Sequence, residues 1–161
     1  MLVRMEIKNL MIDPINEMPI IVLVDSESKR VLPIWVGFFE ANAIALKIEG
    51  VPTPRPMTHD LIKNMIDSLG ASLKRVEINK LESNTYFANL YLEVNGSEFI
   101  IDSRPSDAIA VALRTESPVF VEEEVLEAAS GFEVTNDPGQ KEKLKKWLEN
   151  LDVDSLGKYK M

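Results

Sequence analysis

The residues best suited to chemistry lie in two short segments with the same order of residue types. Residues 55–60 read Arg-Pro-Met-Thr-His-Asp, and residues 104–107 read Arg-Pro-Ser-Asp. Proline favours an extended residue before it, and a hydroxyl side chain followed by an acid is typical of the first turn of a helix. We therefore predict two helix N-termini, capped by Thr58 and Ser106, which meet in space because their charges are complementary.

His59 is the only histidine of the chain, and it falls just inside the first of these two helices. The dipole at a helix N-terminus favours the neutral imidazole, which can act as a general base. The alternative is that His59 only satisfies a local hydrogen bond. A single histidine in a chain without cysteine excludes a two-histidine metal site and argues against a structural zinc.

Four carboxylates on or near these segments are candidate ligands for a hard cation: Glu40, Asp60, Asp102 and Asp107. Mg²⁺ or Mn²⁺ commonly takes one or two protein carboxylates, with water and substrate phosphate completing its shell. Asp60, Asp102 and Asp107 are also candidates for catalysis together with His59. The alternative is structural, because helix dipoles favour acids at such positions and Asp102 can pair with an arginine.

Arg55 and Arg104 are the candidate cations for substrate binding. Each guanidinium can fork onto a phosphate or onto a neighbouring carboxylate, and the second is the commoner structural use. Thr58 and Ser106, which follow them closely, are candidate hydrogen-bonding groups for the same substrate.

Composition narrows the range of functions. The chain has 161 residues, 45% of them apolar, which is enough for one domain with a buried core. Its net charge of −8 argues against a broad basic surface for duplex DNA, although acidic proteins can act on phosphodiesters through bound cations. The lack of cysteine and of a long apolar run predicts a cytoplasmic protein without a membrane segment.

Hydrophobic periodicity predicts a single α+β domain, in which helices pack against a mixed, largely antiparallel sheet. Strands are expected over 2–12, 18–24, 30–36, 72–81, 85–94, 97–102 and 118–121, and helices over 38–49, 58–69, 106–115 and 122–129. Pro33 predicts an edge or a bulge for the third strand. The apolar residues of the second helix are spaced as one buried stripe: Leu61, Ile62, Met65, Ile66 and Leu69. We assign residues 1–133 to the domain and 134–161 to a helical tail.

The Asn-Gly pair at 95–96 is a strong signal for a two-residue hairpin. Counting back from this turn places Leu90 opposite Ile101 and Asn89 opposite Asp102. Asp102 is therefore expected on the sheet face that points away from Leu90.

Three blocks of sequence are distinctive in their order and spacing. They are Leu-Pro-Ile-Trp-Val-Gly at 32–37 with Glu-Ala at 40–41, Arg-Pro-Met-Thr-His-Asp-Leu at 55–61, and Ile-Asp-Ser-Arg-Pro-Ser-Asp-Ala-Ile-Ala at 101–110. Together they resemble the bifunctional nuclease domain family over roughly residues 1–127. The resemblance implies a compact α/β domain that cleaves both RNA and DNA.

By this resemblance we expect a nuclease with RNA and DNA as substrates, assisted by Mg²⁺ or Mn²⁺. His59 would activate water or protonate the leaving oxygen, the carboxylates would hold the metal, and Arg55 or Arg104 would steady the developing charge. The alternative is a non-catalytic oligomeric module for binding or regulation, which the acidic charge favours.

The chain has several large aromatic side chains, more apolar surface than a small domain with short loops can bury. They are Trp35, Phe38, Phe39 and Trp147. Stacking on bases is possible for the first three, but their apolar neighbours favour packing in a core or an interface. We therefore predict a homodimer with two-fold symmetry, the commonest soluble assembly.

Overall fold

The computed structural model describes residues 1–25, 27–28 and 30–129, in which seven strands and four helices follow one another. The strands are β1 (Leu2–Ile12), β2 (Pro19–Val24), β3 (Val31–Trp35), β4 (Ala71–Glu82), β5 (Thr85–Val94), β6 (Ser97–Ser103) and β7 (Val119–Glu122). The helices are α1 (Phe38–Ile48), α2 (Thr58–Ser68), α3 (Pro105–Thr115) and α4 (Glu123–Ala128). Every strand and helix predicted within the described residues is confirmed, with ends that move by one residue at most.

The seven strands form one sheet in the order β3-β2-β1-β7-β4-β5-β6. Neighbouring strands run antiparallel except β4 and β7, which are parallel. The predicted α+β class with a mixed, largely antiparallel sheet is therefore confirmed. Within the described residues the sheet ends at β3 and β6, and β3 is the strand for which Pro33 predicted an edge.

Helix α3 is the centre of the helical layer, since it packs against α1, α2, β4 and β5. Its Ala108, Ala110 and Ala112 are buried, and their short side chains let the neighbouring elements come close. Ala41 and Ala45 of α1 are buried in the same core. The close contacts of α3 with α1 and α2 bring the N-termini of these three helices near one another.

The apolar stripe predicted for α2 is wrong in its burial. Ile66 is buried, but Leu61, Met65 and Leu69 are 53%, 55% and 74% exposed. The helix contacts β4 and α3. Its apolar residues Met65 and Leu69 instead line a cavity in front of β5 and β6, which no described helix fills. Amphipathic spacing identified the apolar face correctly, but it could not show whether another element covers that face.

The predicted tail at 134–161, including Trp147, lies outside the described residues, so the domain boundary at 133 stays a prediction. The helices in the described part of the chain have 11 residues or fewer, which is too short for a bilayer-spanning helix of about 20 residues.

Candidate active site

The first turns of three helices meet around one arginine. Arg104, directly before α3, donates from Nε to Asp107 Oδ2 at 2.7 Å, and its Nη2 lies 2.9 Å from Glu40 Oε1. The other oxygen of Asp107, Oδ1, lies 2.9 Å from Nε2 of His59. We call Glu40, Arg104, Asp107 and His59 the four-residue cluster. The two Arg-Pro segments therefore meet in space, as their complementary charges predicted.

The carboxylate of Asp107 is the centre of this cluster. Burial alone would raise the pKa of Asp107, but hydrogen bonds from Arg104 and His59 outweigh it and hold the pKa below its ordinary value. The hydrogen bond to Asp107, and then that to Glu40, raises the pKa of Arg104. An ionised carboxylate only accepts hydrogen bonds, so Nε2 of His59 carries the proton and Nδ1 is the nitrogen that can accept one.

The carboxylate of Glu40 lies in the space that a side chain at residue 37 would occupy. A β-carbon at Gly37 would collide with Oε2 of Glu40, so only glycine leaves the carboxylate where it is. The Glu40 side chain is 18% exposed, whereas that of Arg104 is 65% exposed. The acid is thus the enclosed partner of the pair, and the arginine is the partner that faces solvent.

Asp60 belongs to a different interaction. Its Oδ1 accepts from Nε of Arg114 at 2.6 Å, and its Oδ2 accepts from the backbone N–H of Met57 at 2.9 Å. Arg114 is buried and also donates to the backbone oxygens of Ala43 and Ala110, each at 2.9 Å. Burial opposes ionisation of Asp60. The hydrogen bonds that Asp60 accepts from Met57 and Arg114 outweigh this effect and lower the pKa of Asp60. Asp60 and Arg114 therefore tie the start of α2 to α1 and α3.

Sequence reasoning missed Arg114 because an arginine within an alanine-rich helix usually faces solvent. Only the packing of three helices around it makes a buried cation possible here, since it needs both a carboxylate and free carbonyl groups. The signal that could have found it is its spacing from Ala110, one helical turn earlier, which places Arg114 on the buried face of α3.

Asp102 lies opposite Asn89, as the hairpin register predicted. Because neighbouring residues of a strand point to opposite faces, its side chain leaves the sheet on the face away from Leu90 and Ile101. Asp102 borders the cavity described below. Its side chain nevertheless starts on the opposite side of the sheet from the four-residue cluster.

The remaining candidates for substrate binding are dispersed. Thr58 lines the cavity and is exposed, Ser106 is buried away from the cavity, and Arg55 is exposed in the loop before α2 without lining the cavity. Neither hydroxyl caps a helix, contrary to the prediction. The cap positions belong to Met57 and Arg104. The side chain of Asp60 accepts from the backbone N–H of Met57, and Pro105 opens α3 without an N–H.

A cavity of about 1320 Å³ opens beside the four-residue cluster, between α2 and the strands β5 and β6. All four residues of the cluster line it. Its walls are mostly apolar and include Phe39, Met65, Leu92 and Ile101. Phe39 is 88% exposed, so of the two placements that its apolar neighbours favoured, a core or an interface, the core is wrong for this residue. The site is therefore a polar rim on an otherwise apolar groove.

The family model of the bifunctional nuclease domain matches residues 21–133, a range that contains the whole four-residue cluster. The chain belongs to the bifunctional nuclease domain family. This confirms the resemblance that the three sequence blocks indicated.

Relatives of this bifunctional nuclease domain occur in bacteria and plants. It is 39% identical over 148 residues to an uncharacterized protein of Mycobacterium tuberculosis (strain H37Rv), covering 86% of this chain and 88% of that protein. Bifunctional nuclease 2 of Oryza sativa subsp. japonica is 36% identical over 107 residues, and Bifunctional nuclease 1 of Arabidopsis thaliana is 34% identical over 107 residues. Both plant matches cover 64% of this chain and 33% of the plant protein, so the chain spans about a third of their length.

Asn42 is a further residue of the candidate site that sequence reasoning missed. Its Oδ1 is buried and has no hydrogen-bond partner among the described residues, and the residue lines the cavity. Buried acceptors are nearly always satisfied in native proteins, so this oxygen suits a donor or a cation supplied by a bound molecule. A single asparagine in a helix carries no sequence signal of such a role.

The donor atoms at the site fit a small divalent cation in kind. Glu40 and Asp107 offer hard carboxylate oxygens, and Mg²⁺ commonly uses one or two of these. However, no three His, Asp or Glu side chains lie close enough together for a metal site in the part of the chain that the structure describes. The guanidinium of Arg104 also neutralises both acids. A cation here would need further ligands from water or from a substrate.

Proposed function

We propose that this domain hydrolyses phosphodiester bonds of RNA and DNA at the four-residue cluster. The observation that carries the proposal is the 2.9 Å contact between His59 Nε2 and Asp107 Oδ1, beside a solvent-facing arginine on the rim of a cavity. Phosphodiester cleavage needs a group that exchanges protons and a cation near the phosphate. The cluster offers both within one set of hydrogen bonds, and family membership favours the same chemistry.

In this mechanism His59 exchanges the proton and Asp107 acts through it. With Nε2 engaged by Asp107, Nδ1 takes a proton from the attacking water or gives one to the leaving oxygen. The carboxylate of Asp107 fixes the orientation of the ring through this hydrogen bond. Because the side chain of His59 is only 10% exposed, substrate reaches it from the cavity.

Arg104 is the proposed phosphate-binding group. A guanidinium has five N–H donors in a planar fork, and the contacts to Glu40 and Asp107 use only part of that set. The remaining donors face solvent and can bind phosphate oxygens as charge develops on them. Arg55, which does not line the cavity, is a weaker candidate for this role.

We propose Mg²⁺ or Mn²⁺ as the cofactor, held by Glu40 and Asp107. A bound cation would supply Lewis-acid polarisation of the phosphate. Geometry favours these two acids over Asp60, which Arg114 engages, and over Asp102, which leaves the other face of the sheet. Since Arg104 neutralises the same carboxylates, we expect the cation to bind together with substrate, whose phosphate oxygens and water would complete its ligands.

Cleavage of labelled single-stranded RNA and DNA tests the proposal. We expect product only with added Mg²⁺ or Mn²⁺, and a rate at least about 100-fold lower for His59→Ala, because general acid-base catalysis contributes about that much. Lys63→Ala is the matched control, since Lys63 lies on the same helix and pairs with Asp67 at the surface. Equal activity of the His59→Ala protein would overturn the assignment of His59.

The apolar walls of the cavity favour a second candidate function, a non-catalytic module that binds a partner or an apolar ligand. Such walls suit aliphatic groups better than a polyanion. If the wild-type protein cleaves neither RNA nor DNA with any divalent metal, while remaining folded, this module becomes the better description of the domain.

A further inference from the structure

The sheet ends at β6 in a strand that has no partner on its outer side among the described residues. All seven residues of β6 are exposed or half-buried, and Phe99, Ile100 and Ile101 are 54%, 58% and 47% exposed. An edge strand of this kind presents free backbone N–H and C=O groups together with apolar side chains. It is therefore a surface on which another strand can pair.

The opposite edge of the described sheet is protected, and β6 is not. In β3 the central residue is Pro33, which has no N–H to donate, and the residues on either side of it are buried. Residues 97–103 contain neither proline nor lysine, the residues that proteins commonly use to block an exposed edge. The difference between the two edges leaves β6, which carries the acids Glu98 and Asp102 but an apolar centre, as the edge that is more open to pairing.

The residue types of β6 are nearly symmetric about Ile100. Residues 97–103 read Ser-Glu-Phe-Ile-Ile-Asp-Ser, so apolar residues lie at the centre and an acid and a serine follow on each side. We propose that two copies of this chain pair antiparallel along β6, with the two-fold axis at Ile100, to form one continuous sheet. Phe99 then faces Ile101 of the second copy, and the same surface serves both copies, as a two-fold interface requires.

The helical layer adds to this interface. Phe99 and Ile101 lie opposite Leu92 and Leu90, on the face that carries the cavity and α2. A two-fold axis perpendicular to the sheet puts both α2 helices on that face, where the exposed Met65 and Leu69 of each copy line the cavity beside the joint.

The apolar surface at the joint is near the lower limit for a specific interface. Its large side chains are exposed by 47% to 74% and offer roughly 500 Å² per copy, so that about 1,000 Å² is covered if all of it is buried. They are Met65, Leu69, Phe99, Ile100 and Ile101. The pairing also has a cost, because Glu98 faces Asp102 of the second copy and like charges opposite each other are unfavourable. Arg75 reduces this cost, since its Nη1 lies 3.6 Å from Oε2 of Glu98.

A single cysteine tests the axis, because the chain has no cysteine of its own. Residues directly opposite in an antiparallel pair have Cα atoms about 4.5–5.5 Å apart, within the range of about 4.4–6.8 Å that a disulfide needs. Ile100→Cys should therefore give a cross-linked species of twice 18.1 kDa under mild oxidation, reversed by a reductant. Val31→Cys, at a residue that is 36% exposed on the β3 edge, is the matched control and should not cross-link.

Light scattering of the wild-type protein completes the test and does not depend on nuclease activity. We expect twice the mass of the 18.1 kDa chain, and a return to one chain mass for Ile100→Lys, with an unchanged circular dichroism spectrum because Ile100 is solvent-facing. A wild-type mass of one chain that does not rise with concentration would overturn the dimer. Equal cross-linking of the Ile100→Cys and Val31→Cys proteins would overturn the axis.

Discussion

Arg104 forms ion pairs with both Glu40 and Asp107. Its removal should therefore change the site more than that of any other residue of the cluster. Without the guanidinium, Glu40 and Asp107 would face each other with no cation between them, although the structure encloses both. Their mutual repulsion would then be relieved by a proton or by a bound metal ion. The same substitution would remove the proposed phosphate ligand.

We therefore predict opposite effects of Arg104→Ala on catalysis and on metal binding. Cleavage should fall by about 100-fold or more, as expected for the loss of a group that stabilises developing charge. The affinity for Mn²⁺ in the absence of nucleic acid should rise, because two hard carboxylates lose their competitor. Titration calorimetry with Mn²⁺ measures the second effect, and Lys74→Ala, which alters only an exposed pair with Glu93, is the control. An unchanged Mn²⁺ affinity would show that Glu40 and Asp107 do not hold the metal.

At the level of single residues, the sequence predicted which groups converge but not how they pair. Complementary charges in two Arg-Pro segments were enough to expect His59, Arg104 and Asp107 in one place. The partner of each acid depends on the rotation of α2 about its axis, which turns His59 towards α3 and the next residue, Asp60, towards Arg114. Adjacent residues of a helix point about 100° apart, and local spacing alone does not reveal which one faces the site.

At the level of elements, the pair of Asp60 and Arg114 holds the start of α2 against α1 and α3. The lowered pKa of Asp60 means that folding favours its ionised form. The resulting stability is fully present above the ordinary value of 3.8 and is lost as the pH falls below it. The neighbouring Asp107, whose pKa is also lowered, contributes in the same pH range.

We predict that Asp60→Asn lowers the free energy of unfolding by about 2 kcal/mol at neutral pH, since it leaves the buried guanidinium of Arg114 without a counter-charge. Its partial exposure keeps this figure below that of a fully buried ion pair. In urea denaturation between pH 7 and pH 3, the free energy of unfolding of the Asp60→Asn protein should also fall less in acid than that of the wild-type protein. Asp67→Asn, in an exposed pair on the same helix, is the control. Parallel pH curves for the wild-type and Asp60→Asn proteins would contradict the role of Asp60.

The elements themselves were largely predictable because each is encoded locally. The Asn-Gly turn set the register of β5 and β6, and alternation of apolar residues set the strands. The burial of α2 was not predictable, because Leu61 and Leu69 have the spacing of core residues while their face looks over uncovered strands. Amphipathic periodicity reports that a face is apolar, and only the arrangement of the whole sheet decides what lies opposite it.

At the level of the whole molecule, net charge limits how a nucleic acid can be held. The chain carries −8, and the proposed site offers one solvent-facing arginine on the rim of an apolar groove. Such a surface cannot follow a duplex backbone by neutralising many phosphates. Recognition would depend on one or two phosphate contacts and on nucleotides that reach into the groove, which favours single strands.

We therefore predict a weak salt dependence for binding of single-stranded RNA or DNA to the His59→Ala protein, which should bind without cleaving. With one or two phosphates neutralised, the slope of log K against log salt should be about −0.7 to −1.4, because each contact contributes about −0.7 on a single strand. Fluorescence anisotropy across a salt series measures this slope. Adding Arg104→Ala to the same protein should make this slope less negative by about 0.7, the contribution of one phosphate contact. A slope of about −4 or steeper would instead mean that several other cations track the strand, and the lysines within residues 141–160 would be the first to examine.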